Sequence, residues 1–203
     1  MSMILAVDCC LKLTGAALMS DGKILGSGRK QTAELPLMVG SMLQRNRVSF
    51  DALDYVALTN GPGYFTGIRV GAAYASGLAY ASGAKVIPVS SLEMLAKSSG
   101  MSGKILAVVY AGHGYVYAEC QGFLVAGEYS LDEVREWLAK NPDAVAFSDD
   151  PERSGISEAV RVRPSVTALC ELAQERLESE RLDDAISPLE LKISYYRAPQ
   201  GVK

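Results

Sequence analysis

Three groups of residues in this chain are of a type that could do chemistry or recognition. The first is a glycine-rich loop, Gly61-Pro62-Gly63, which runs into a predicted helix carrying Gly67, Gly71, Ala75, Ala79 and Gly83 at every fourth position. That spacing leaves one helix face bare. Each interior glycine costs a helix about 0.8–1.0 kcal/mol relative to alanine, so propensity does not explain the stripe, nor Gly77 beside it. A closely approaching backbone does. Its owner could be another helix, of the same chain or across a subunit contact, or the stripe could serve a phosphate resting on the free amides of the helix N-terminus. The loop is not a Walker loop, since no Gly-Lys-Ser/Thr follows, and the dinucleotide fingerprint fails because glycine returns only at Gly67. Arg69 in the first turn and the shortness of the run argue against a membrane span.

The second candidate is His113, the single histidine, set in the loop-like run Ala111-Gly112-His113-Gly114. One histidine excludes an HExxH zinc site and leaves no choice of base for a proteolytic triad. The third is the set of cysteines Cys9, Cys10, Cys120 and Cys170, which form no CxxC pair. With no signal peptide at the start, they read as reduced thiols of a cytoplasmic protein. The chain has 203 residues, 49% of them hydrophobic, which is enough for a substantial core. A net charge of −3 and scattered basic residues such as Arg29, Lys30, Arg45, Arg47, Arg161 and Arg163 disfavour strong nucleic-acid binding by the chain alone.

The elements that must position these groups occur twice. Ile4-Leu5-Ala6-Val7 reappears as Ile105-Leu106-Ala107-Val108, and the turn Asp21-Gly22 has its counterpart in Gln121-Gly122. In each half a buried strand precedes two runs that read as a hairpin: Thr14 to Ser20 with Lys23 to Arg29, then Tyr115 to Cys120 with Phe123 to Tyr129. A helix follows in both, from Glu34 to Arg45 and, behind the capping box Ser130-x-x-Glu133, from Leu131 to Lys140. Strands are expected at Tyr55 to Thr59, Lys85 to Pro88, Ala144 to Phe147 and Val160 to Val162. Further helices are expected after Ser90-x-x-Glu93 and from Val166 to Leu177, and a strand-like piece at Ile193 to Tyr196. The turn-rich segment Ser98 to Gly103 divides the chain into expected domains 1–100 and 101–203. The predicted class is α/β, a mixed sheet with helices on its faces in each half.

A duplicated domain of this plan is that of the actin-like, ribonuclease H-like ATPases and sugar kinases, in which Asp8 at the end of the first strand would serve Mg²⁺ or its waters. The loop after it, Cys9-Cys10-Leu11-Lys12-Leu13-Thr14-Gly15, is a poor phosphate cradle. The second half ends its first strand in Tyr110-Ala111-Gly112, without the carboxylate an Mg²⁺–nucleotide site would want. Asp8 is therefore the only nucleotide-site candidate, and an independent ATPase or small-molecule kinase is the competing reading.

The run Gly61-Pro62-Gly63-Tyr64-Phe65-Thr66-Gly67-Ile68-Arg69-Val70-Gly71, with Val89-Ser90-Ser91-Leu92-Glu93 downstream, resembles the signature of the TsaB (YeaZ) family. The resemblance covers the first half, including Asp8 and Leu35-Pro36, and fades through the second. It implies a non-catalytic paralogue of TsaD that takes part in threonylcarbamoyl modification of adenosine 37 in tRNAs reading codons that begin with A. It further implies a TsaD-like partner that holds the ATP and metal ion, a TsaE-like ATPase in the wider complex, a homodimer when alone, and contact with tRNA only through the complex. No cofactor or metal is expected in this subunit, and no membrane. Carried over by motif, the partner interface falls on Leu35, Met38, Val39, Met42 and Leu43 of one helix and on Ile68, Gly71, Ala72, Ala75 and Leu78 of the next. Three departures weaken nucleotide handling: Asp8-Cys9-Cys10-Leu11 where the family has Asp-Thr-Ser-Thr, no histidine in Gln31-Thr32-Ala33-Glu34, and Tyr110-Ala111-Gly112 for Asp-Ala-Arg. A protease, a label attached to relatives, finds no residues to carry it here.

Overall fold

Two five-stranded mixed sheets, built to the same plan from successive halves of the chain, organise the computed structural model, which describes residues 2–179 and 184–196. The first contains β1 (Met3–Asp8), β2 (Thr14–Ser20), β3 (Lys23–Lys30), β4 (Tyr55–Thr59) and β5 (Lys85–Val89), in the spatial order β3-β2-β1-β4-β5. The second contains β6 (Ile105–Gly112), β7 (Tyr115–Cys120), β8 (Leu124–Ser130), β9 (Val145–Ser148) and the short β10 (Val160–Arg161), in the order β10-β9-β6-β7-β8. In both, the first three strands are antiparallel neighbours, and the later ones join in parallel after a helical crossover. Asp21 and Gly22, at φ of 45° and 76°, close the first hairpin in the left-handed conformation its two-residue turn requires.

The helices are α1 (Leu35–Arg45), α2 (Phe65–Ser82), α3 (Ser91–Ser98), α4 (Leu131–Lys140), α5 (Pro151–Ser154) and α6 (Val166–Glu178). Pro36 opens α1, the reciprocal Ser90 and Glu93 capping box opens α3, its Ser130 and Glu133 equivalent opens α4, and Gly83 in the left-handed region ends α2. Among the described residues no helix is long and apolar enough to cross a membrane. The four-residue α5 falls in the polar segment that sequence periodicity leaves without an element, because so short a helix carries no period to read.

β1 is apolar at successive positions because it is covered on both sides. Leu5 and Val7 face a core with α1 and α2, while Ile4 and Ala6 face another with residues of α3 and α6. The covering helices cross over between halves. α6, from the second half, packs on β1, β2 and β4 of the first sheet, and α3, from the first, packs on β6, β7 and β9 of the second. Leu92, Met94, Leu95, Ala107, Val109, Leu169, Cys170 and Ala173 thereby belong to one buried cluster that spans both sheets. The segment Ser98 to Gly103 thus joins two sheets that share a buried cluster, to which the expected unit 1–100 contributes together with the expected unit 101–203. Its last part also returns to the first half. Ile186 bridges Val86 on β5 through two backbone hydrogen bonds of 2.9 Å, and the Ser194 amide donates to the Asn60 carbonyl at 2.9 Å. The strand expected at Ile193 to Tyr196 does not form. Residues 180–183 and 197–203 of that expected domain lie outside the described residues.

Candidate functional site: the Gly-Pro-Gly loop and the helix pair beside it

The bare stripe of α2 is filled by its own chain. A Cβ added to Gly67 would overlap the carbonyl oxygen of Cys9, one on Gly63 would overlap that of Cys10, and one on Gly71 would lie 2.9 Å from the Cys9 Cβ. These glycines exist so that the loop following β1 can lie against the start of α2. The Tyr64 amide seals the contact by donating to the Cys10 carbonyl at 2.8 Å. The approaching backbone is therefore neither the expected helix nor a phosphate but a loop of the same chain.

Asp8 sits under this loop with no exposed surface, and it is saturated. Its Oδ1 accepts from the Thr59 hydroxyl at 2.7 Å and the Cys10 amide at 3.1 Å, while its Oδ2 accepts from Arg29 Nη2 at 3.0 Å. Arg29 also donates to the Leu13 carbonyl at 2.6 Å, which ties β3 to the same loop. The residues do not fit an Mg²⁺–nucleotide at this point, because a guanidinium occupies the side of the carboxylate a cation would need, and Cys9, Cys10 and Leu11 are buried core rather than phosphate donors. Asp8, the candidate nucleotide residue, is here a structural anchor. Burial dominates the thiols beside it, pushing Cys9 up to about 11 and Cys10 well above its ordinary value, so neither is a nucleophile near neutral pH. A cleft of about 240 Å³ adjoins Arg29, walled by Leu11, Leu13 and Val162 with Lys12 and Arg163. Burial, followed by the charge of Asp150, raises the Asp149 carboxyl on its wall. Among the described residues no group of three or more His, Cys, Asp or Glu is placed to hold a metal ion. His113 lies exposed in the turn between β6 and β7, at φ of 51°.

Sequence reasoning overlooked the arginines that brace the start of α2. Arg153 donates to the Tyr64 hydroxyl at 2.6 Å and lies 4.6 Å from the centre of the Tyr110 ring, which links α2 to the second sheet. Arg69 covers Phe65 at 3.8 Å and donates to the Tyr195 hydroxyl at 3.0 Å. The two adjacent aromatics of the loop were the available signal.

The residues expected to form the partner interface lie against the chain's own first sheet. Leu35, Val39, Met42 and Leu43 of α1, and Ile68, Gly71, Ala72, Ala75 and Leu78 of α2, are all buried within the chain, and Met38 is half-buried with its sulfur 3.2 Å from where a Cβ of Gly28 would stand. The physical reason is the first sheet, whose apolar face requires a cover. Periodicity identifies an apolar helix face but not which molecule it meets. The opposite faces are open. On α1 these are Leu37, 76% exposed, with Gly40, Ser41 and Gln44; on α2 they are Val70, Ala73, Gly77 and Tyr80, the last 70% exposed. Positions 70, 73, 77 and 80 follow the helical repeat, so they form one stripe. A Cβ on Gly40 or Gly77 would meet nothing within 4 Å.

A family model described as TsaD, tRNA N6-adenosine threonylcarbamoyltransferase, matches residues 27–175. The chain is 30% identical over 149 residues to the tRNA threonylcarbamoyladenosine biosynthesis protein TsaB of Escherichia coli strain K12, covering 70% of this chain and 61% of that one. The chain belongs to the TsaB (YeaZ) family. It is also 29% identical over 150 residues to a tRNA N6-adenosine threonylcarbamoyltransferase of Clostridium perfringens strain SM101, covering 66% of this chain and 44% of the relative. The matched part thus spans between two fifths and two thirds of these curated relatives' lengths. The solved structure of YeaZ from Pseudomonas aeruginosa superposes with a TM-score of 0.76 at 25% identity, covering 96% of this chain and all of that one. The two-domain actin-like, ribonuclease H-like fold of the TsaB family is the fold of this chain.

Proposed function

We propose that the chain is a non-catalytic subunit in the threonylcarbamoyl modification of adenosine 37 in tRNAs that read codons beginning with A. In this reading it binds a TsaD-like catalytic subunit through the outward faces of α1 and α2, and the ATP and metal ion belong to that subunit. The observation that carries the proposal is the exposure of Leu37 and Gly40 on α1 and of Val70, Ala73, Gly77 and Tyr80 on α2, two helices that cover the same face of the first sheet and whose inner faces are already satisfied by it. Apolar and small side chains left open on helices that cover one sheet face suit close helix-on-helix docking.

The same face would pair with itself in a homodimer when the catalytic subunit is absent, and tRNA and a TsaE-like ATPase would be met only in the assembled complex. Activation follows if the face binds the active arrangement of the catalytic subunit better than the inactive one, since only differential affinity shifts such an equilibrium. The saturated Asp8 and the inert thiols support a role without chemistry of its own. The test is reconstitution. The cognate catalytic subunit should modify an unmodified tRNA much faster with this chain than without it, whereas the chain alone should not bind ATP and Mg²⁺ in calorimetry. Equal rates with and without the chain would reject the proposal, as would tight ATP binding by the chain abolished by Asp8→Ala.

A further inference from the structure

A second cavity, of about 550 Å³, opens away from the Gly-Pro-Gly loop, between α3, α6, the linker Met101–Gly103 and the start of the second sheet. Its volume lies in the range of small-molecule sites. Leu92, Ala96, Met101, Ile105 and Leu172 supply apolar wall. The charged residues that line it are Glu93, Lys97, Glu119, Glu175 and Arg176, and all but one are matched. Lys97 pairs with Glu175 at 2.5 Å, and Arg176 pairs with Glu93 at 2.5 Å while also donating to the Pro88 carbonyl. Glu93 is held further by its capping bond from the Ser90 amide at 3.1 Å.

Glu119 of β7 is the remainder. It is half-buried and has no hydrogen bond or ion pair among the described residues. Burial, and after it the charge of Glu93, pushes its carboxyl up, as is expected of an acid short of a cation. The neighbouring cations are committed to other carboxylates, so the wall carries one negative charge that no described side chain balances.

We propose that this cavity is a binding site for a small organic monocation, an alkylammonium or alkylguanidinium whose charged end meets Glu119 and whose chain lies along Ala96, Met101 and Leu172. The chemistry sets both halves of the ligand. The surplus carboxylate selects a single positive charge, and the apolar wall rewards a hydrocarbon body of several carbons. The inference is independent of the proposed subunit role, since none of these residues lies on the outward faces of α1 and α2.

The test uses n-pentylammonium and its neutral analogue 1-pentanol as probes, titrated into the full chain and followed by backbone amide NMR. The expected result is saturable shifts at residues 92–105 and 119–121, with pentylammonium favoured over pentanol by about tenfold, the worth of one modest charge-assisted contact. Glu119→Gln should bring the two affinities together. Ala96→Leu, which fills the space from α3 without touching the carboxylate, should weaken both probes. Absence of saturable shifts at these residues would overturn the proposal, as would equal affinity for the two probes or an unchanged preference in a folded Glu119→Gln variant. Should Glu119→Gln fail to fold, the Ala96→Leu result decides, and undiminished binding there would overturn it.

Discussion

Substituting alanine for glycine at two positions of α2 should act in opposite directions, because the two positions face different neighbours. At Gly77 the new methyl meets nothing within 4 Å, so the gain is the helix-propensity difference, about 0.8–1.0 kcal/mol. At Gly67 the methyl overlaps the Cys9 carbonyl oxygen, a backbone atom held by β1 and the loop, which cannot rotate away as a side chain would. Overpacking of this kind costs about 1–3 kcal/mol, and the first-turn location of Gly67 offers little propensity to offset it. For a chain of this size each kcal/mol corresponds to about 2–4 °C of melting temperature. Thermal unfolding followed by circular dichroism should therefore place Gly77→Ala about 2–4 °C above the wild type, and Gly67→Ala below it by a similar or larger interval. A stable Gly67→Ala together with a destabilised Gly77→Ala would refute the assignment of inner and outer faces.

Arg29→Ala removes the cation paired with the fully buried Asp8 carboxylate and should cost about 3 kcal/mol in urea unfolding, with Asp8→Asn, which strands the Arg29 guanidinium at 14% exposure rather than a charge with none, costing less. Leu169→Ala on α6 should cost about 2–5 kcal/mol, and because its cluster spans both sheets they should lose structure in a single transition. The cysteines are buried, so a disulfide-exchange reagent at pH 8 should find little reactive thiol in the native protein and all four in denaturant. Burial raises Cys9 from 9.0 to about 11 and Cys170 from 9.0 to about 12. The native state therefore keeps protons that the unfolded chain releases, and this contribution to stability, complete below pH 9, should fall away as pH rises through about 11 and 12.

The duplicated plan was legible in the sequence because its signals are local: repeated apolar strands, the turns Asp21-Gly22 and Gln121-Gly122 with their left-handed glycines, and three-residue-spaced capping pairs. What escaped was long-range. The stripe of small residues on α2 announces a close approach, yet the element that approaches, the Cys9-Cys10 loop, lies more than fifty residues away in sequence and carries no complementary pattern. The same limit hid the exchange of α3 and α6 between sheets, since an amphipathic helix does not encode which sheet it covers. Asp8 was placed correctly at a strand end. Its meaning depended on Arg29 and Thr59, which only the strand order β3-β2-β1-β4 brings near it.

In the proposed assembly the outward faces of α1 and α2 receive the catalytic subunit. Light scattering of that subunit mixed with wild-type chain and with Gly77→Arg, an exposed change into open space, tests it most directly. A complex with the wild type and none with a variant of unchanged circular dichroism is the predicted result. An equally stable complex with Gly77→Arg would contradict it.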